Sequence, residues 1–208
     1  KNMSYNNLYL DNFNKGINKV ILEIENNSRT PDEFLNSLIS ETKKVKETSG
    51  RLFFFGNGAS SSFANHMALD WSKNGKIPAR VLSDSSLLTA LSNDYSFEES
   101  FTEFAKINDL NKNDFVVTIS SSGNSPNIVS LLKYAAEIGV KTFALNGLKE
   151  DNKSRKIANY SVFYDFKTYG MVECAHQLYL HLWLDAYMDI YEWEKIESQN
   201  MNIKNFKL

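Results

Sequence analysis

The sequence is poor in cysteine, proline and histidine: one, three and three among 208 residues. A lone cysteine, Cys174, excludes an intramolecular disulfide and gives no sign of an oxidising compartment. It falls inside an apolar helical pattern, which predicts buried packing rather than chemistry. Neither sign of charge dominates. The formal net charge is −2 and lysines are interspersed with acids, so neither nucleic acid nor an anionic membrane is the expected partner. No apolar run approaches the roughly 20 residues needed to cross a bilayer. The opening stretch KNMSYNNLYLDNF lacks the apolar centre of a secretory signal. The expectation is a cytoplasmic protein.

What is there is ordinary globular composition, 42% hydrophobic and 23% charged. The length suits one well-buried domain and is short for two. There is no repeat, low-complexity tract or linker, and ESQNMNIKNFKL, from about residue 196 on, reads as a polar tail. Leu8, Leu10, Phe13, Ile17, Val20, Ile21 and Ile24 recur at helical spacing. A second helix is predicted from Thr30-Pro31 towards Glu47, with Pro31 at its first position. From Arg51 onward short apolar runs alternate with helix-like stretches. LFFF precedes Ser60–Lys73, ARVL precedes Ser85–Ser92, and FVVTI precedes Ser125–Ile138. KTFAL precedes Ser154–Ala158, and SVFYDF precedes a closing helix from about Gly170 to Trp193. Compact apolar runs followed by helices read as parallel strands with crossover helices. The prediction is a three-layer α/β/α sandwich around a parallel sheet of about five strands, with two leading helices and one long closing helix outside it.

In such sheets ligands bind beyond the carboxyl ends of the strands. Two strand-to-helix junctions carry unusual loops there: GNGASSS, Gly56 to Ser62, and SSSGNSPN, Ser120 to Asn127. Glycine permits positive φ and close backbone approach, and serine hydroxyls donate or cap. Free N–H groups at a helix start favour an anion such as phosphate. Each loop alone is read equally well as a plain turn and helix start. Neither has the Gly-Lys-Ser/Thr ending of a Walker loop, and GNGASS lacks the third glycine and acidic partner of a dinucleotide fingerprint. Two such loops in equivalent places suit a phosphorylated small molecule better than a nucleotide, so no nucleotide cofactor is expected.

His66 and Asp70 are four residues apart and share a helical face. Glu173 and His181 are eight apart, offset by roughly 80° on one broad face, with His176 and Gln177 between them. Satisfied core or solvated residues, an acid/base pair, and a divalent metal site all fit these spacings.

Together the segments GNGASSSFANHMALD, LLTALSNDYSFEESF, ISSSGNSPNI and ECAHQLYLHL resemble the sugar isomerase (SIS) domain, and within it the phosphoheptose isomerase family. The resemblance spans about residues 12 to 191. It implies a flavodoxin-like or Rossmann-like five-stranded parallel sheet, a single SIS domain over 1–208 whose leading helices (about 5–48) also pack in the oligomer, and a homotetramer with shared active sites. It further implies interconversion of sedoheptulose 7-phosphate and D-glycero-D-manno-heptose 7-phosphate through an enediol, towards surface-polysaccharide heptose. By the same resemblance Ser120, Ser121, Ser122 and Ser125 hold the phosphate. Asn57, Gly58, Ala59, Ser60, Asn93, Asp94 and Glu173 contact the sugar. Asp70 and His181 transfer protons, and zinc, where present, is held by His66, Asp70, Glu173 and His181.

The chain departs from the family pattern at several points. Asp70 replaces a glutamate and is one methylene shorter. Glu173 replaces a glutamine and adds a negative charge. Asn74, beside Lys73, stands where an arginine often follows, and GNGA replaces GNGG. Alternatives that keep the same fold are a non-catalytic phosphosugar-binding module and another enediol-type reaction on a sugar phosphate.

Overall fold

The computed structural model describes residues 4–191 and 193. Its elements run α1 (Tyr5–Ile17), β1 (Ile21–Ile24), β2 (Asn27–Ser28), α2 (Pro31–Glu47), β3 (Leu52–Gly56), α3 (Ala59–Asp70) and, after a π-helical turn (Trp71–Gly75), β4 (Ala79–Val81). There follow α4 (Ser85–Asp94), α5 (Ser100–Ile107), β5 (Phe115–Ser120), α6 (Pro126–Glu137), β6 (Lys141–Gly147), α7 (Lys153–Ile157), β7 (Tyr160–Tyr164) and α8 (Tyr169–Tyr187).

The strands form one sheet in the order β2-β1-β7-β6-β5-β3-β4. From β7 to β4 all neighbours are parallel, which is the five-stranded unit read from the sequence. The sheet has seven strands because an antiparallel hairpin, β1–β2, adds to the β7 edge. This corrects the reading of Val20, Ile21 and Ile24 as helical. Helix α1 ends at Ile17, and Ile21 to Ile24 pair with Phe163 to Tyr160. Glu25 and Asn26, both at positive φ, make the two-residue turn.

The central strands β3, β5, β6 and β7 bury both faces. Phe54, Phe115 and Phe143 point into a layer with α2, α3 and α8, whereas Phe53, Phe55 and Val116 point into the layer of α4, α5 and α6. This alternation makes the strands read as continuous apolar runs. Each such side chain stabilises the fold by roughly 1.5–3 kcal/mol. A capping box between Thr30 and Glu33 starts α2. Trp183 Nε1 donates to Thr42 Oγ1 at 3.1 Å, locking α8 to α2. Trp71 and Trp183, with ring centroids 4.4 Å apart, lock α8 to the end of α3. Helix α8 stops at Tyr187 rather than near Trp193, because Asp189 turns the chain with φ 55°. A further helix, α5, follows the SNDYSFEES stretch, where none was expected. The polar tail lies outside the described residues.

Candidate active site

Strands β3 and β5 are parallel neighbours, with Gly56 opposite Ile119, so their two loops emerge side by side. Asn57 and Asn127 tie them by exchanging amide hydrogen bonds of 3.0 and 2.9 Å. The serine loop is also held from behind. Gly123 N donates to Ser120 O and Oγ, Gly147 N donates to Ser121 O, and Ser154 donates to Gly123 O through both N and Oγ. Between the loops opens a cavity of about 340 Å³, within the range of small-ligand sites. Asn57, Gly58, Ala59 and Ser60 line one side, Ser120, Ser121, Ser122 and Ser125 another. Tyr169 and Glu173, from the start of α8, complete it with Ile119.

Three helices therefore begin at this cavity: α3, α6 and α8. In none of them does the N-cap residue make a side-chain hydrogen bond to the first turn. Elsewhere α1, α2, α4 and α7 are capped by Ser4, Thr30, Asp84 and Asn152, while α5, which does not line the cavity, has no such cap either. Some first-turn N–H groups are already bonded, Ser60 N to Asn57 O, Ser61 N to Gly58 O and Ile128 N to Asn127 Oδ1, but the positive ends of three helix dipoles still face the cavity and suit an anion.

The polar residues further along α3 and α8 also meet. His66 Nε2 lies 3.2 Å from Asp70 Oδ2, and the His66 and His181 rings are 5.2 Å apart. One ligand atom from each of His66, Asp70 and His181 falls within 4.8 Å of the others. His66 is exposed, the other two half-buried. Two imidazoles and a carboxylate in that arrangement suit a divalent cation of the zinc type. Gln177 Nε2 lies 2.8 Å from His181 Nε2. His66 stands about 10 Å along the α3 axis from Ala59, at ~1.5 Å per residue. Cavity and cluster are thus neighbouring stations joined by the same two helices.

Among the residues singled out from sequence, the loop serines, Asn57 to Ser60 and Glu173 share the cavity, while His66, Asp70 and His181 share the cluster. Glu173 does not join the cluster. Asn93 and Asp94 line neither. They are exposed at the end of α4 and bonded to each other. Cys174 is exposed, not buried, because α8 turns its Cys174, Leu178 and Leu182 side outward. The third histidine, His176, is wholly buried and bonds Asn146 O through Nε2, and burial pushes its pKa down to about 4. Sequence reasoning missed Tyr169. Only its place at a helix start that opens on the cavity marks it.

A sequence model of the SIS domain matches residues 13–147. A probable phosphoheptose isomerase of Thermoplasma volcanium is 36% identical over 148 residues, 66% of this chain and 72% of that protein. A phosphoheptose isomerase of Helicobacter pylori (strain Shi470) is 32% identical over 146 residues, 67% of this chain and 75% of its own. The structure of phosphoheptose isomerase GmhA from Neisseria gonorrhoeae superimposes with a TM-score of 0.70 at 22% identity, over 87% of this chain and 96% of that one.

Proposed function

The chain belongs to the SIS-domain family, and from that membership we propose that it is a phosphosugar ketose–aldose isomerase of the phosphoheptose type. Its substrate pair is sedoheptulose 7-phosphate and D-glycero-D-manno-heptose 7-phosphate. The observation that carries this reading is the convergence of three uncapped helix starts on one cavity, with the His66–Asp70–His181 cluster further along two of those helices. A sugar whose phosphate and carbonyl lie at opposite ends of a seven-carbon chain fits two stations separated by about two helical turns.

The phosphate sits among Ser120, Ser121, Ser122 and Ser125, where backbone N–H groups and hydroxyls donate to it. Isomerisation then moves two protons. Asp70 takes the proton from C1 as the C1–C2 double bond forms, and His181 protonates the C2 oxygen, giving the enediol. The C1 hydroxyl next yields its proton and C2 receives one, leaving the aldehyde. A carboxylate and an imidazole are the usual proton-transfer groups of general acid–base catalysis. His66, Asp70 and His181 would hold zinc or another divalent cation, which when bound polarises the reacting oxygens.

Leu69 on α3 and Leu178 and Leu182 on α8 are exposed around the cluster. A second copy of the chain over that face would cover them and exclude water. This supports a homo-oligomer, a tetramer by resemblance, to whose shared sites Asn93 and Asp94 would contribute. The reading places the enzyme in the cytoplasm and in the supply of heptose for surface polysaccharide. No helix among the described residues is long and apolar enough to cross a membrane.

The test is turnover of sedoheptulose 7-phosphate beside shorter ketose phosphates, with and without zinc. Asp70→Asn and His181→Gln should each lower kcat by about 10²–10⁴-fold while inorganic phosphate still binds. No turnover of any ketose phosphate, or turnover indifferent to both substitutions, would refute the proposal.

A further inference from the structure

Glu173, Gln177 and His181 lie on one stripe of α8, at steps of four residues. By resemblance position 173 is the family's ligand place. In this chain its carboxylate lines the anion cavity and stays out of the His66–Asp70–His181 cluster. Position 177 behaves in the opposite way. Its amide is 2.8 Å from His181 Nε2 and 4.0 Å from Met67 Sδ on α3, so it reaches across to the helix that carries His66 and Asp70. Its carbonyl oxygen, Oε1, is buried and has no hydrogen-bond partner.

Where it stands Oε1 has no donor, so no hydrogen bond to the oxygen fixes the amide in this orientation. A half-turn of the amide exchanges its oxygen and nitrogen and brings Oε1 to the His181 side. We propose that Gln177 Oε1, not Glu173, is the fourth ligand of the divalent cation site formed with His66, Asp70 and His181. This rests on the cation site of the functional reading above. The ligands are then two i, i+4 pairs on two packed helices, His66 with Asp70 and Gln177 with His181. On a helix such pairs stack on one face and lean the same way, so both can aim at one point. Two imidazoles, one carboxylate and one neutral amide leave the bound site with a net positive charge, which suits a cation acting on an anionic sugar. The glutamate at 173 is released to the cavity.

Titrating zinc, and separately cobalt, into chelator-stripped protein tests the assignment by calorimetry and by the visible absorption of bound cobalt. Gln177→Leu should weaken binding at least tenfold and alter the cobalt bands. Gln177→Glu, which keeps an oxygen at the same reach, should bind within about threefold of the parent or tighter, and so should Glu173→Gln. Thermal melts of the stripped variants report whether each folds, and Gln177→Ala replaces the leucine variant if that one does not. Binding indifferent to Gln177→Leu, or weakened by Glu173→Gln instead, overturns the assignment and leaves the cation site standing. A parent protein that takes up neither metal overturns the cation reading itself, and this inference with it. Both outcomes are read from metal uptake alone, independently of isomerase activity.

Discussion

The two ends of the central sheet follow opposite rules. At the amino ends of β3 and β5 the polar groups are closed on one another. Asp114, its side chain 1% exposed, accepts from Arg51 N, Nε and NH2 and from Asn111 N and Nδ2. Arg51 spends its other donors on the carbonyls of Asn108 and Asp109. At the carboxyl ends of the same strands α3 and α6 start without an N-cap side-chain bond, as does α8 after β7, and the loops between them enclose open space. The same strands thus end in a closed ion-pair network on one side and in loops lining a cavity on the other. One end is built for stability; the proposed ligand site lies at the other.

The largest effect that separates the ends is expected at Asp114. Asp114→Ala strands a half-buried guanidinium and two backbone donors, Arg51 N and Asn111 N, and should cost about 3 kcal/mol in denaturant unfolding. The affinity of the folded protein for inorganic phosphate, read by calorimetry, should stay within about twofold. A parallel loss of phosphate affinity would mean that the two ends are not independent.

A smaller contrast lies within the carboxyl end. Gly58 and Gly123 both have positive φ, 57° and 62°. A Cβ at Gly58 meets nothing within 4 Å, whereas one at Gly123 falls 2.1 Å from Asn152 Oδ1 and 2.9 Å from Asn146 Oδ1. Asn152 cannot simply swing away, because the same oxygen caps α7 at Arg155 N. Gly123→Ala should therefore cost about 3 kcal/mol of stability, from backbone strain and the clash together. Gly58→Ala should cost about 1–2 kcal/mol, from strain alone, and its main loss should be in phosphate binding. Thermal melts and phosphate titrations of the two variants check this. Equal stability losses would show that the first loop is as tightly buttressed as the second.

How much of this was legible in the sequence follows from what each pattern can encode. Four of the five parallel strands, β3, β5, β6 and β7, were legible because both of their faces are buried, so apolar runs stood out. Strand β4, with Arg80 exposed, was marked only by a short run before a helix. The loops were legible because glycine and serine follow those runs directly. The hairpin was not, since Ile17, Val20, Ile21 and Ile24 sit at i, i+3, i+4 and i+7 and mimic a helix. Helix α5 was hidden because its eight residues hold barely two turns of periodicity. Helix α8 is apolar nearly all round, so its pattern did not say which face the sheet covers, and Cys174 was placed on the wrong one. Glu173 and Gln177 share a stripe. Spacing gives their common direction, and only the packing of α3 against α8 decides which one faces His66 and Asp70.

The smallest expected effect concerns the link between the two helical stations and the serine loop. His176 belongs to α8, but its Nε2 bonds Asn146 O, and Asn146 lies opposite Ser120 in the sheet, close behind Gly123. Its Nδ1 is buried without a partner. Burial disfavours the charged ring, and the native pKa falls to about 4 from an ordinary value of 6.5. The unfolded chain therefore takes up the proton first as the pH drops. Stability is fully present above pH 6.5 and declines between 6.5 and 4. At pH 5.5 the loss from this one group should be about 1.4 kcal/mol, one pH unit's worth of proton linkage. His176→Gln keeps a donor for Asn146 O and removes the titration. Unfolding of the chelator-treated proteins at pH 7 and 5.5 should show the parent losing that much more than the variant. If both fall in parallel, the acid sensitivity belongs to carboxylates elsewhere, and His176 holds the back of the loop without making it respond to pH.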